Sequence, residues 1–94
     1  MSDYERLTVL PSRDVLAKAA EIFPDRAELT LAHESGHGVS YSGGEGTVDI
    51  EVHRHGFSTQ VVVRTDRLRT SKVDGVVRYF MNQLPYQNGD PGRE

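Results

Sequence analysis

The sequence predicts an α+β domain: an antiparallel sheet of four to five strands with two helices packed on one face, in the order β-α-β-β-β-β-α. Three observations carry that expectation. Apolar residues recur at helical spacing near each end of the chain, they recur at every second position between those ends, and glycine or proline stands where the period changes.

Leu7-Thr8-Val9-Leu10 is a β-prone run closed by Pro11. Ser12 then offers a helix N-cap, with Asp14 in the first turn against the positive end of the dipole. Val15, Leu16, Ala19, Ile22 and Phe23 form one apolar stripe, and Pro24 is expected to stop the helix. Leu29 and Leu31 alternate with Glu28 and Thr30, and Val39 and Tyr41 alternate with Ser40 and Ser42. After a turn at Gly43-Gly44-Glu45-Gly46, Val48, Ile50 and Val52 alternate with Asp49, Glu51 and His53. A turn near His55-Gly56 leads to Phe57, Thr59, Val61 and Val63, the returning strand of a hairpin. The last helix is the most strongly patterned element. Val73, Val76, Val77, Phe80 and Leu84 share one face, Ser71 caps it, Asp74 takes the place of a capping-box acid, and Pro85 ends it.

A chain of 94 residues has room for one core, so residues 1–86 are read as a single domain and 87–94 as a solvated tail. There is no cysteine, which removes disulfide scaffolds and thiolate zinc sites. Apolar runs are no longer than a few residues, as at Val61-Val62-Val63, far short of a membrane span. The polar first residues do not resemble a secretory signal, so a cytoplasmic protein without a membrane partner is expected. A net charge of −3 argues against a whole surface devoted to nucleic acid.

One short motif points to chemistry. His33-Glu34-x-x-His37 resembles the signature of zinc metalloproteases. On a helix, residues four apart share a face, so His33 and His37 would hold one zinc ion while Glu34 acted as general base. The local sequence resists that helix. Gly36 and Gly38 lie in or beside the motif, the surrounding period is two, and Ser40 and Gly43 stand where the longer metzincin pattern wants glycine and histidine. A hairpin turn at Glu34-Ser35-Gly36, with a histidine on either side, fits the pattern better.

His53-x-His55 is a second possible metal pair, because a strand presents alternate residues on one face. A meander gathers all four histidines at one end of the sheet. Parity then places His33 and His37 on the inward register of Leu31 and Val39, and His53 and His55 on the outward register of Asp49 and Glu51.

Arg64, Arg67, Arg69 and Lys72 lead into the last helix and form a candidate anion or nucleic-acid site. The α-β-β-β-α part of the order is similar to that of small double-stranded RNA-binding domains, whose lysine-rich signature is missing here. With no complete catalytic constellation to assemble, the expected function is non-catalytic binding, with a protein partner or a second copy meeting an edge of the sheet. No cofactor is required by that reading. Zinc belongs to the alternative, a small zinc-dependent hydrolase.

Overall fold

The computed structural model describes residues 2–44, 46–66 and 71–85. The predicted order is found: β1 (Ser2–Thr8), α1 (Ser12–Arg26), β2 (Thr30–Ser35), β3 (Gly38–Gly43), β4 (Gly46–His55), β5 (Ser58–Thr65) and α2 (Lys72–Asn82). The five strands form one antiparallel sheet, β1-β5-β4-β3-β2. Strands β2 to β5 make a meander, and β1 returns to pair with β5, leaving β1 and β2 at the two edges.

Period two decides what is buried. Val39, Tyr41, Val48, Ile50, Val52, Val61 and Val63 point to the helix side and are buried there. They meet Val15, Ala19, Ile22 and Phe23 of α1 and Val73, Val77, Phe80 and Met81 of α2 in one cluster. Phe23 sits at its centre, its ring centroid 5.3 Å from that of Phe80 and 5.7 Å from that of Tyr41. Aromatic burial of this kind contributes a few kcal/mol per ring, of order 3–5 by the usual cost of truncation to alanine.

β1 begins earlier than the expected Leu7 and ends before Val9, which is 50% exposed. The inward residues of this strand are Tyr4, Arg6 and Thr8, none of them an apolar signal. Arg6 and Thr8 are nevertheless buried, because each polar tip finds a partner. Arg6 Nη1 donates to the carbonyl of Met81 at 2.6 Å, at the C-terminal end of α2. At the other end of α2, the Tyr4 hydroxyl donates to both carboxylate oxygens of fully buried Asp74 at 2.9 Å, and Arg78 Nε reaches Asp74 Oδ2 at 3.2 Å. β1 thus holds both ends of α2, with a cation at the negative end and an anion at the positive one.

Ser71 caps α2 as expected, its hydroxyl accepting from Asp74 N at 3.1 Å. Two expectations for α1 are corrected. Its N-cap is Pro11, with no side-chain cap bond, and Ser12 is the first helical residue. Pro24 lies inside the helix, which runs on to Arg26. A proline in the last turn forfeits only its bond to the carbonyl of Ala20, on the exposed side of the helix, and its fixed φ suits the helix. The helix closes at Ala27, whose N–H donates to Phe23 O at 3.1 Å, and Glu28 then turns the chain with φ 57°. The tail predicted for 87–94 lies outside the described residues.

Candidate functional site

β2 is where the sequence reading of the site changes. Leu31 pairs with Tyr41, but the register shifts at Ala32, so that His33 pairs with Ser40, Glu34 with Val39 and Ser35 with Gly38. This β-bulge reverses parity. His33, expected on the inward register, stands with Ser40 on the polar face of the sheet, and Glu34 returns to the helix side opposite Val39. The turn also begins two residues later than expected and ends one later, at Gly36-His37. Residues 33–37 are therefore strand and turn, and they do not form the helical face on which His33 and His37 would converge with Glu34 beside them.

All six residues of β2 are exposed, including Leu31 at 54%. α1 lies against β2, β3 and β4, and α2 against β4 and β5, yet the side chains of β2 itself stay exposed. Behind it, the Tyr41 ring is buried against Phe23. Burial, and secondarily the charge of Glu34, holds the Tyr41 hydroxyl above the ordinary tyrosine pKa.

The polar face reads across the strands in rows. Asp3, Arg64, Asp49, Ser40 and His33 make one, and Glu5, Val62, Glu51, Gly38 and Ser35 the next. Ser40 Oγ donates to Asp49 Oδ1 at 2.6 Å, Arg64 Nη1 meets Glu51 Oε2 at 3.0 Å, and His53 Nε2 lies 3.4 Å from Glu51 Oε1. In that first row serine stands between the histidine and the aspartate and bonds the acid directly. A nucleophilic triad needs the imidazole in the middle, so the order is wrong for that chemistry. The exposed ion pairs contribute at most about 1 kcal/mol each. Gly38 floors this face because no side chain fits: a Cβ there would lie 2.4 Å from the carbonyl oxygen of Ile50.

A separate hollow of about 510 Å³ opens where the β2–β3 turn, β4 and the start of α1 meet, lined by Ser12, Gly36, His37, Val52, His53 and Arg54. His37 reaches it from the turn, its carbonyl accepting from Val52 N at 2.8 Å. His53 lies opposite Gln60 on the outward register, as expected. His55 closes β4 opposite Ser58. His37 and His53 thus come to one hollow, while His33 stands apart on the polar face. Among the described residues no group of three or more histidine, aspartate or glutamate side chains is gathered to hold a metal ion.

Of the basic stretch, Arg64 lies on the polar face engaged with Glu51, and Lys72 is exposed at the first position of α2. Arg67 and Arg69 lie outside the described residues. No helix among the described residues is long and apolar enough to cross a membrane.

Sequence reasoning missed Ser12 and Arg54 as lining residues of the hollow. A signal was present for Arg54, which continues the inward register of Val48, Ile50 and Val52. The bulge at Ala32 left no such mark. No model of a known protein family matches the chain, and no characterised protein matches it in sequence.

Proposed function

We propose that this chain is a non-catalytic interaction domain that pairs with a second copy of itself along β2. The supporting observation is the state of that strand. It is an edge, exposed along its whole length, with Leu31 offered to solvent beside an unfilled ladder.

Charge favours β2 over β1 as the self-pairing edge. An antiparallel two-fold pairing of β1 that keeps faces matched sets Glu5 opposite Glu5, Asp3 opposite Glu5, or Arg6 opposite Arg6, according to register. In the β2 register of greatest overlap, which also keeps faces matched, the single acid Glu34 faces Leu31 of the other copy and Ser35 faces Thr30. The bulge at Ala32 limits the length of such a ladder, so the association is of modest strength.

Sedimentation over a wide concentration range tests the reading. A monomer–dimer equilibrium that Leu31→Lys moves to monomer, without loss of the circular dichroism of the fold, is the expected result. A monomer at every concentration would sink it. Zinc bound at one ion per chain and lost in His37→Ala would replace it with the hydrolytic alternative.

A further inference from the structure

We infer that the hollow between the start of α1, the Gly36-His37 turn and β4 is a binding site for a phosphoryl anion, with Arg54 as its central contact. This site stands at the opposite end of the sheet from the start of α2 and does not depend on pairing along β2.

Arg64 is paired with Glu51, Arg78 with Asp74, and Arg26 lies 4.0 Å over the ring of Tyr79. Arg54 is held differently. Its Nη1 donates to Thr59 Oγ1 at 2.8 Å and its Nη2 to the carbonyl of Gly56 at 3.2 Å, both neutral acceptors. It has no carboxylate partner among the described residues. The guanidinium is therefore fixed in position with its charge uncompensated, which lowers the ordering cost of binding an anion.

Thr59 links this arginine to the start of α1. It is fully buried, and its hydroxyl accepts from Arg54 and donates to the carbonyl of Leu10 at 2.6 Å. That relay sets the Leu10-Pro11-Ser12 segment beside Arg54, where Ser12 lines the same hollow. His37 supplies a further nitrogen donor from the turn, while His53, on the outward register of β4, borders the hollow with its Nε2 3.4 Å from Glu51 Oε1. None of the six lining residues is acidic, in a chain whose net charge is −3. The nearest acids along the chain point to other tasks: Glu51 engages Arg64 and His53 on the polar face, and Asp14 is exposed in the first turn of α1. An arginine fork, the His37 imidazole and a serine hydroxyl suit an anion with several acceptor oxygens, and the volume leaves space for a small organic group attached to it.

Backbone amide NMR with inorganic phosphate, titrated at constant pH and ionic strength, tests the site. Saturable shifts confined to Ser12, Gly36, His37 and Arg54 are expected. Arg54→Gln should weaken binding by about tenfold, the effect of losing one charged contact. His37→Gln, on an exposed turn, should weaken it less while leaving the spectrum of the fold intact, and Arg64→Gln on the polar face should leave the affinity unchanged. A phosphomonoester such as glycerol phosphate, run in parallel, distinguishes a free-phosphate site from one that also holds an attached group, through tighter binding of the ester. Shifts that do not saturate, or that persist equally in Arg54→Gln and His37→Gln, would overturn the assignment.

Discussion

The two edges of the sheet are strands of nearly equal length in opposite situations. β1 carries Tyr4, Arg6 and Thr8 on its inward side, and β2 carries Leu31 and Glu34. On hydrophobicity alone β2 has the better claim to burial, yet Arg6 is 4% exposed and Leu31 54%. The difference lies in what each side chain reaches. Arg6 and Tyr4 bond the two ends of α2, so the helix covers them and their polar tips are satisfied. The inward side chains of β2 are left exposed, and its bulge at Ala32 breaks the regular alternation. An edge is thus secured by tertiary partners for its inward side chains, and an apolar residue without such partners stays in solvent.

That contrast can be broken first where β2 attaches to the rest of the sheet. β2 pairs only with β3, and β3 approaches β4 closely at Gly38. Gly38→Ala would drive a methyl group to 2.4 Å from the Ile50 carbonyl, a backbone atom with little freedom to move. A loss of about 3 kcal/mol in urea unfolding is expected, the upper range for an overpacked site. A loss below about 1 kcal/mol would mean that β3 and β4 separate easily there.

The next largest effect should separate the two edges themselves. Asp74→Ala leaves the Tyr4 hydroxyl and Arg78 without their acid, and should cost about 2 kcal/mol. His33→Ala on β2 should stay within about 0.5 kcal/mol, as for other exposed sites. Equal effects in the two variants, read from the same denaturation experiment, would erase the distinction between a clamped edge and a bare one.

The same contrast explains what the sequence made legible. Period two across Val48 to Val63 and period 3.6 across Val15 to Phe23 and Val73 to Phe80 report directly on burial, so the sheet, both helices and the element order could be read from them. Tyr4 and Arg6 gave no such signal, because their burial depends on Asp74 and Met81, about seventy residues away in the chain. The bulge at Ala32 is set by how β2 meets β3, and the single strand pattern is equally compatible with a regular ladder. It changed the face of His33, and with it the grouping of the histidines. The hollow was hidden for a related reason: Arg54, Ser12 and His37 come from three parts of the chain that only the meander and the first helix bring together.

A smaller effect sharpens the inward side of β2. The Tyr41 hydroxyl is held above the ordinary tyrosine pKa by burial first and by Glu34 second. In the unfolded chain this tyrosine ionises near pH 10, while the folded chain still keeps the proton. Its contribution to stability is therefore complete below about pH 10 and is lost as the pH rises through the folded value. Spectrophotometric titration should show a late-ionising tyrosine that disappears in Tyr41→Phe and moves down in Glu34→Gln. If Glu34→Gln left that titration unchanged, Glu34 would not face the helix side and the parity reversal at Ala32 would be misplaced.

The smallest effect concerns the residue that delivers the chain to β2. Glu28 has φ 57°, a left-handed conformation that costs a residue with a Cβ more than it costs glycine. The residue itself is exposed, so little packing is lost with its side chain. Glu28→Gly relieves that strain but also loosens the unfolded chain, and the two act in opposite directions. Relief should win at this φ, giving a net stabilisation of about 0.5 kcal/mol in urea unfolding. The position also separates two ways of holding the edge. If β2 is set by its entry from α1, the same substitution should alter amide exchange at Thr30 and Leu31. If it is held by the ladder with β3, as the pairing of Thr30 with Ser42 and Leu31 with Tyr41 implies, exchange there should stay unchanged while the unfolding midpoint rises.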